Sequence, residues 1–156
     1  MSATGLCNRE LAYAKELRAL GDSPALRSAV RLQLVSALRF FWQEIASSHG
    51  LVRSSGFDNL AELRTALHSK LGEDHPIAEL YEMEESQLVK QLLYSCDPAS
   101  ALQKIPDISH KKTEINIIKA SQDTEFTELN DADFELKVLD FLQRVVTEWR
   151  EYSQEY

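Results

Sequence analysis

The segment Leu26–Ser48 reads LRSAVRLQLVSALRFFWQEIASS and decides the fold. Leu26, Val30, Leu34, Ala37, Leu38, Phe41 and Ile45 recur at steps of three and four residues. That spacing gathers them on one face of a helix. Val35 and Trp42 lie beside the stripe and widen it, and a face this wide predicts contact with two or more neighbouring helices, as in a bundle. Arg27 and Arg31 sit four apart on the polar side. Ser23 offers an N-cap hydroxyl and Pro24 suits the first helical position. Gly50 supplies a left-handed stop. The aromatic run Phe40, Phe41 and Trp42 reads as core packing, with a ligand pocket as its alternative.

The chain has 156 residues, which fits one domain, expected over 1–156 with loose ends at 1–7 and 153–156. A chain of this length buries roughly 70% of its unfolded surface and needs no staple. Its 5 Gly and 4 Pro are few, which favours helices over a turn-rich sheet. The formal net charge of −8 argues against nucleic acid or an anionic membrane as the main partner. The charge is uneven. Residues 1–53 carry seven Lys/Arg against four Asp/Glu, and residues 54–156 carry ten against twenty-one. Two basic helices packed beside acidic ones would explain this; a partner site on one charged face is the sharper alternative.

Cys7 and Cys96 form no CxxC pair, so the sequence offers neither a disulfide framework nor a zinc site and suits a reducing cytoplasm. The opening residues MSATGLCNRELAYAKE lack an apolar h-region, which argues against Cys7 as a lipid-anchored cysteine. No segment reaches the ~20 consecutive apolar residues of a membrane span.

Working outward, a first helix is expected from Asn8 to Leu20, with Leu11, Tyr13, Ala14, Leu17 and Leu20 inward, and its short loop makes it an antiparallel neighbour of the central helix. A third helix runs from Asn59 to Leu71, with a capping-box-like Asn59/Glu62 pair, a stop at Gly72 and Leu60, Leu63, Leu67 and Leu71 inward. Pro76 opens a fourth helix reaching Cys96, capped by Asp74 or His75, its stripe made of Ile77, Leu80, Tyr81, Leu88 and Leu92. Asp97-Pro98 and Ile105-Pro106 break the pattern around a short turn, ASALQK. Residues 107–130 are polar and irregular and form the candidate functional loop. The last helix, Asp131–Tyr152, is capped by Asn130 or Asp131, with Asp133 and Glu135 in its electropositive first turn. Phe134, Val138, Leu139, Phe141, Leu142, Val145, Val146 and Trp149 form its stripe.

The search for chemistry is short. Di-iron bundles place Glu-x-x-His on facing helices, and no Glu here has a His three residues on. Asp107-x-x-His110 has that spacing but falls in the irregular segment. Glu44 and His49, five apart, share a face poorly. No H-E-x-x-H, GxGxxG or Walker loop occurs. Small helical ribonucleases carry Arg, four to six residues, then His, whereas Arg64 and His68 are separated by three. Cys96 lies at a helix end, where the dipole disfavours a thiolate. Catalysis is therefore unsupported by any motif. Glu84, on the apolar stripe of the fourth helix, Glu44 and Trp42 are the candidate ligand- or cofactor-binding residues; no metal site and no cofactor are predicted.

Three stretches, LVSALRFFWQEIASSHGL (34–51), HPIAELYEMEESQLVKQLL (75–93) and LKVLDFLQRVVTEW (136–149), together resemble a family of small uncharacterised helical proteins, a domain of unknown function, from pseudomonads and related gammaproteobacteria. The shared features are the Glu-Ile-Ala step before a short aliphatic turn, a Pro-started helix with Ala-Glu-Leu, and a last helix closing on Glu-Trp. The resemblance covers about two-thirds of the chain and implies a bacterial cytoplasmic protein. It transfers no activity, since fold does not supply one.

The expected fold is thus all-α, an antiparallel bundle of four to five helices with one irregular segment near 105–130. The expected function is a non-enzymatic protein–protein interaction module, whose partner is another protein or a second copy forming a homodimer. Alternatives are a small-ligand or metal-binding bundle using Glu84, Glu44 or His110, and a helical ribonuclease-like or nucleic-acid-binding protein using Arg64 and His68.

Overall fold

The computed structural model describes residues 2–51, 56, 57, 59–72, 78–97 and 133–154. Within them the chain is all-α, with six helices and no strand. The expected caps at Asp74, His75, Asn130 and Asp131, the turn after Asp97, and the segment 107–130 with Asp107 and His110 lie outside the described residues.

Helix α1 spans Ala3–Ala19. It starts earlier than Asn8 because Ser2 caps it, its hydroxyl accepting the Gly5 N–H at 3.1 Å. The segment expected to be loose is therefore helical from Ala3, and its Cys7 is fully buried. The buried stripe is Cys7, Glu10, Leu11 and Ala14. Tyr13, about 100° from Ala14 around the helix, is exposed, and so is Leu20 at the helix end. Both had been expected inward.

Helix α2, Pro24–Ser48, matches the central helix. The Ser23 hydroxyl accepts the Leu26 N–H at 3.3 Å. At the other end the Gly50 N–H donates to Ser47 O and the Leu51 N–H to Ala46 O, the paired bonds of a Schellman stop. Gly50 has φ +67°, and a Cβ there would lie 2.8 Å from Lys70 Nζ, which itself donates to the Gly50 carbonyl. Gly50→Ala is expected to cost about 1–2 kcal/mol, the penalty of a left-handed side-chain residue. Denaturant unfolding checks this, and an unchanged midpoint would remove Gly50 as the stop.

Helix α3 spans Leu60–Leu71; Asn59 caps it by accepting the Glu62 N–H at 2.8 Å. The expected fourth helix is two helices, α4 (Ala78–Glu85) and α5 (Gln87–Cys96). Ser86 separates them. Its ψ of 118° is extended, and its hydroxyl accepts the Val89 N–H as the cap of α5. The break rephases the apolar face: Leu80 and Met83 are buried on α4, Val89 and Leu92 on α5, while Tyr81 is exposed. The last helix, α6, spans Phe134–Gln154. Its stripe is buried as expected except Phe141, which is half-buried.

α1 and α2 pack along each other as a hairpin, and α2 also meets α3, α5 and α6. Buried side chains from all six helices join one apolar cluster. Phe41 and Trp42 are both buried in it, and Phe41 meets the Trp149 ring edge-on at 5.6 Å between centroids. Of the aromatic run of α2, Phe41 and Trp42 are core, and half-buried Phe40 packs against it.

Candidate functional site

Glu44 projects from α2 with almost no solvent access. Arg150 of α6 clamps it through both oxygens, Nε donating to Oε1 at 2.9 Å and Nη2 to Oε2 at 2.8 Å. The remaining Nη1 donates to Asn8 Oδ1 of α1 at 2.7 Å. One guanidinium thus ties three helices together. A carboxylate held in this two-point fork has its charge matched and its geometry fixed, which suits a clamp better than a proton carrier.

Cys7 lies against this clamp. Burial pushes its thiol from 9.0 up to about 11, with Glu44 pushing the same way and Arg150 opposing. The folded chain therefore holds a proton that the unfolded chain releases. The stability this contributes is complete below pH 9.0 and is lost as pH rises to about 11, an effect on the order of 3 kcal/mol. Cys7→Ala is expected to show a shallower loss of stability across that window than the wild type in urea titrations. Half-buried Cys96 should react with a thiol reagent in the native protein, and Cys7 only on unfolding.

A second buried carboxylate, Glu135, has no solvent exposure at all. Two arginines of α2 hold it. Arg31 Nε donates to Oε1 at 2.6 Å, and Arg27 Nε lies 3.2 Å from both oxygens. Arg31 also lies over the Phe134 ring at 5.4 Å. Sequence reasoning had placed Glu135 in the dipole-facing first turn and the two arginines on a polar face. The available signal was an acidic residue flanked by Phe134, Val138 and Leu139 together with two arginines one turn apart.

Glu84 is half-buried at the flank of α4 and accepts from Arg64 of α3 at 2.5 Å. Arg64 thereby spends a donor on a carboxylate; His68, one turn on, is half-buried on the same helix. Trp42 is buried, and its indole N–H has no partner among the described residues. Glu44, Glu84 and Trp42 are thus not assembled into one site: the two carboxylates go to different arginines on different helices. Among the described residues no three His, Cys, Asp or Glu side chains come together as a metal site.

The ion pairs also account for much of the basic surplus near the N-terminus. Arg9 pairs with Glu10, Arg18 with Asp22, and Arg27 and Arg31 with Glu135. Arg39 differs: it is exposed on α2, and its side chain has no hydrogen-bond or ion-pair partner among the described residues. It lines a groove between α2 and α5. Leu32, Val35 and Ser36 line it from α2, Leu93, Tyr94 and Cys96 from α5, with Asn59 and Asp97 beside them. Leu32 is 58% exposed although it is a large apolar side chain.

No protein family, curated protein or solved structure matches this chain. Among the described residues no helix is long and apolar enough to cross a membrane.

Proposed function

We propose that the chain is a non-enzymatic protein–protein interaction module of the bacterial cytoplasm, docking its partner along the α2/α5 groove. The observation that carries this is exposed Leu32 lining one groove together with Val35 and Leu93 and with the exposed charges of Arg39 and Asp97. An apolar centre with a charged rim is the anatomy of a protein interface. Exposed apolar side chains that share a concave surface mark such sites more often than scattered ones do. The buried carboxylates support the same reading, since Glu44 and Glu135 are engaged in tying helices together.

Leu32→Asp tests it. The side chain is exposed, so far-UV circular dichroism and the thermal midpoint should stay within experimental scatter of the wild type. Capture of a stoichiometric partner from the native lysate should fall by about tenfold or more, as expected for an anchor residue worth at least 1.4 kcal/mol. Glu16→Ala, on the exposed side of α1, should leave capture unchanged. Equal capture by Leu32→Asp and wild type would remove the groove as the docking surface.

A further inference from the structure

We infer that the occupant of the α2/α5 groove is a second copy of this chain, joined about a two-fold axis that pairs Arg39 of each copy with Asp97 of the other. This rests on the groove being the docking surface. A two-fold interface uses the same patch on both subunits, so the patch must be complementary to itself. A groove of one charge would repel its own copy. This groove is lined by a cation, Arg39 of α2, and an anion, Asp97 at the C-terminal end of α5, with apolar Leu32 and Leu93 also lining it. Both charged residues are exposed. Arg39 has no ion-pair partner within its own chain among the described residues, in contrast to Arg9, Arg18, Arg27, Arg31, Arg64, Arg144 and Arg150.

Two-fold pairing gives each Arg39 a carboxylate and forms two ion pairs per dimer. It also withdraws both copies of Leu32 from water. The net charge of −8 on each copy opposes association at low salt. At about 0.15 M ionic strength the Debye length is about 8 Å, so this long-range repulsion is screened while the contact pairs persist.

The test is molar mass by light scattering at physiological ionic strength across the micromolar range. Wild type should give twice the 17.7 kDa chain mass. Arg39→Asp alone and Asp97→Arg alone each place like charges opposite one another, and each should weaken dimerisation by at least about tenfold. The double variant Arg39→Asp/Asp97→Arg restores opposite charges and should recover the dimer. Circular dichroism confirms that each variant is folded. A monomeric wild type overturns the proposal, as does a dimer indifferent to both single reversals, or a folded double variant that stays monomeric. A monomeric wild type whose partner capture is still lost in Leu32→Asp would overturn the second copy alone and leave the groove reading standing. Indifference of both mass and capture to Leu32→Asp would overturn both.

Discussion

Replacing Arg27 and Arg31 together by methionine is expected to lower the unfolding free energy by about 3–5 kcal/mol, because it strands a buried carboxylate. Glu135 has no solvent exposure, whereas each arginine side chain keeps 19% of its own. The asymmetry sets the sign of the related variants. Without Glu135, the guanidiniums can turn their heads to water along flexible stems. Without the arginines, Glu135, which has no solvent exposure, is left as an uncompensated charge in the interior. Methionine keeps most of the stem volume and adds no polar atom, so the loss reports charge more than packing. The triple variant Arg27→Met/Arg31→Met/Glu135→Leu should recover most of the deficit, since replacing a buried ion triad with apolar residues of similar size is often neutral or stabilising. Urea unfolding of wild type, double and triple variants decides it. A double variant losing less than about 1 kcal/mol would mean that water or another group reaches Glu135.

Phe41→Ala is the second large effect, at about 3–5 kcal/mol. Phe41 is fully buried and meets Trp149 edge-on at 82° between ring planes. Truncation removes the apolar transfer energy, leaves a cavity among α2 and α6 side chains, and forfeits an aromatic pair contact worth about 0.5–1.5 kcal/mol. Phe41→Leu fills part of the space and should cost clearly less. A loss below about 1 kcal/mol for the alanine variant would contradict the inward face of α2.

These two sites were unequally legible in the sequence. Phe41 was visible because helical periodicity is a local signal and α2 carries it without interruption. The caps at Ser23 and Asn59 were visible for the same reason, each bonding to an amide three residues on. Glu135 was not. Its partners lie 104 and 108 residues away in the chain, so no window contains both sides of the interaction, and an acidic residue in a first turn already has a local explanation. Glu44 was named as a candidate ligand group, but its partner Arg150 is 106 residues away. Ser86 was missed for a different reason. A serine in a helical pattern reads as one more polar position, yet its hydroxyl can cap a new helix and split the old one. Arg39 and Leu32 gave no signal, because the groove they line exists only once α2 and α5 are packed together.

That packing is what makes the interaction-module reading specific, so the most direct measurement is a photo-crosslink from the groove itself. Benzoylphenylalanine placed at position 32 in the living cell should give, on illumination, a discrete adduct with a protein partner, read by mass spectrometry. The same probe at position 16, on the exposed side of α1, should give none. A second copy of the chain in the adduct identifies the two-fold dimer, and a different protein identifies another docked partner. No adduct from position 32, or equal adducts from both positions, would contradict the groove as the working surface of this protein.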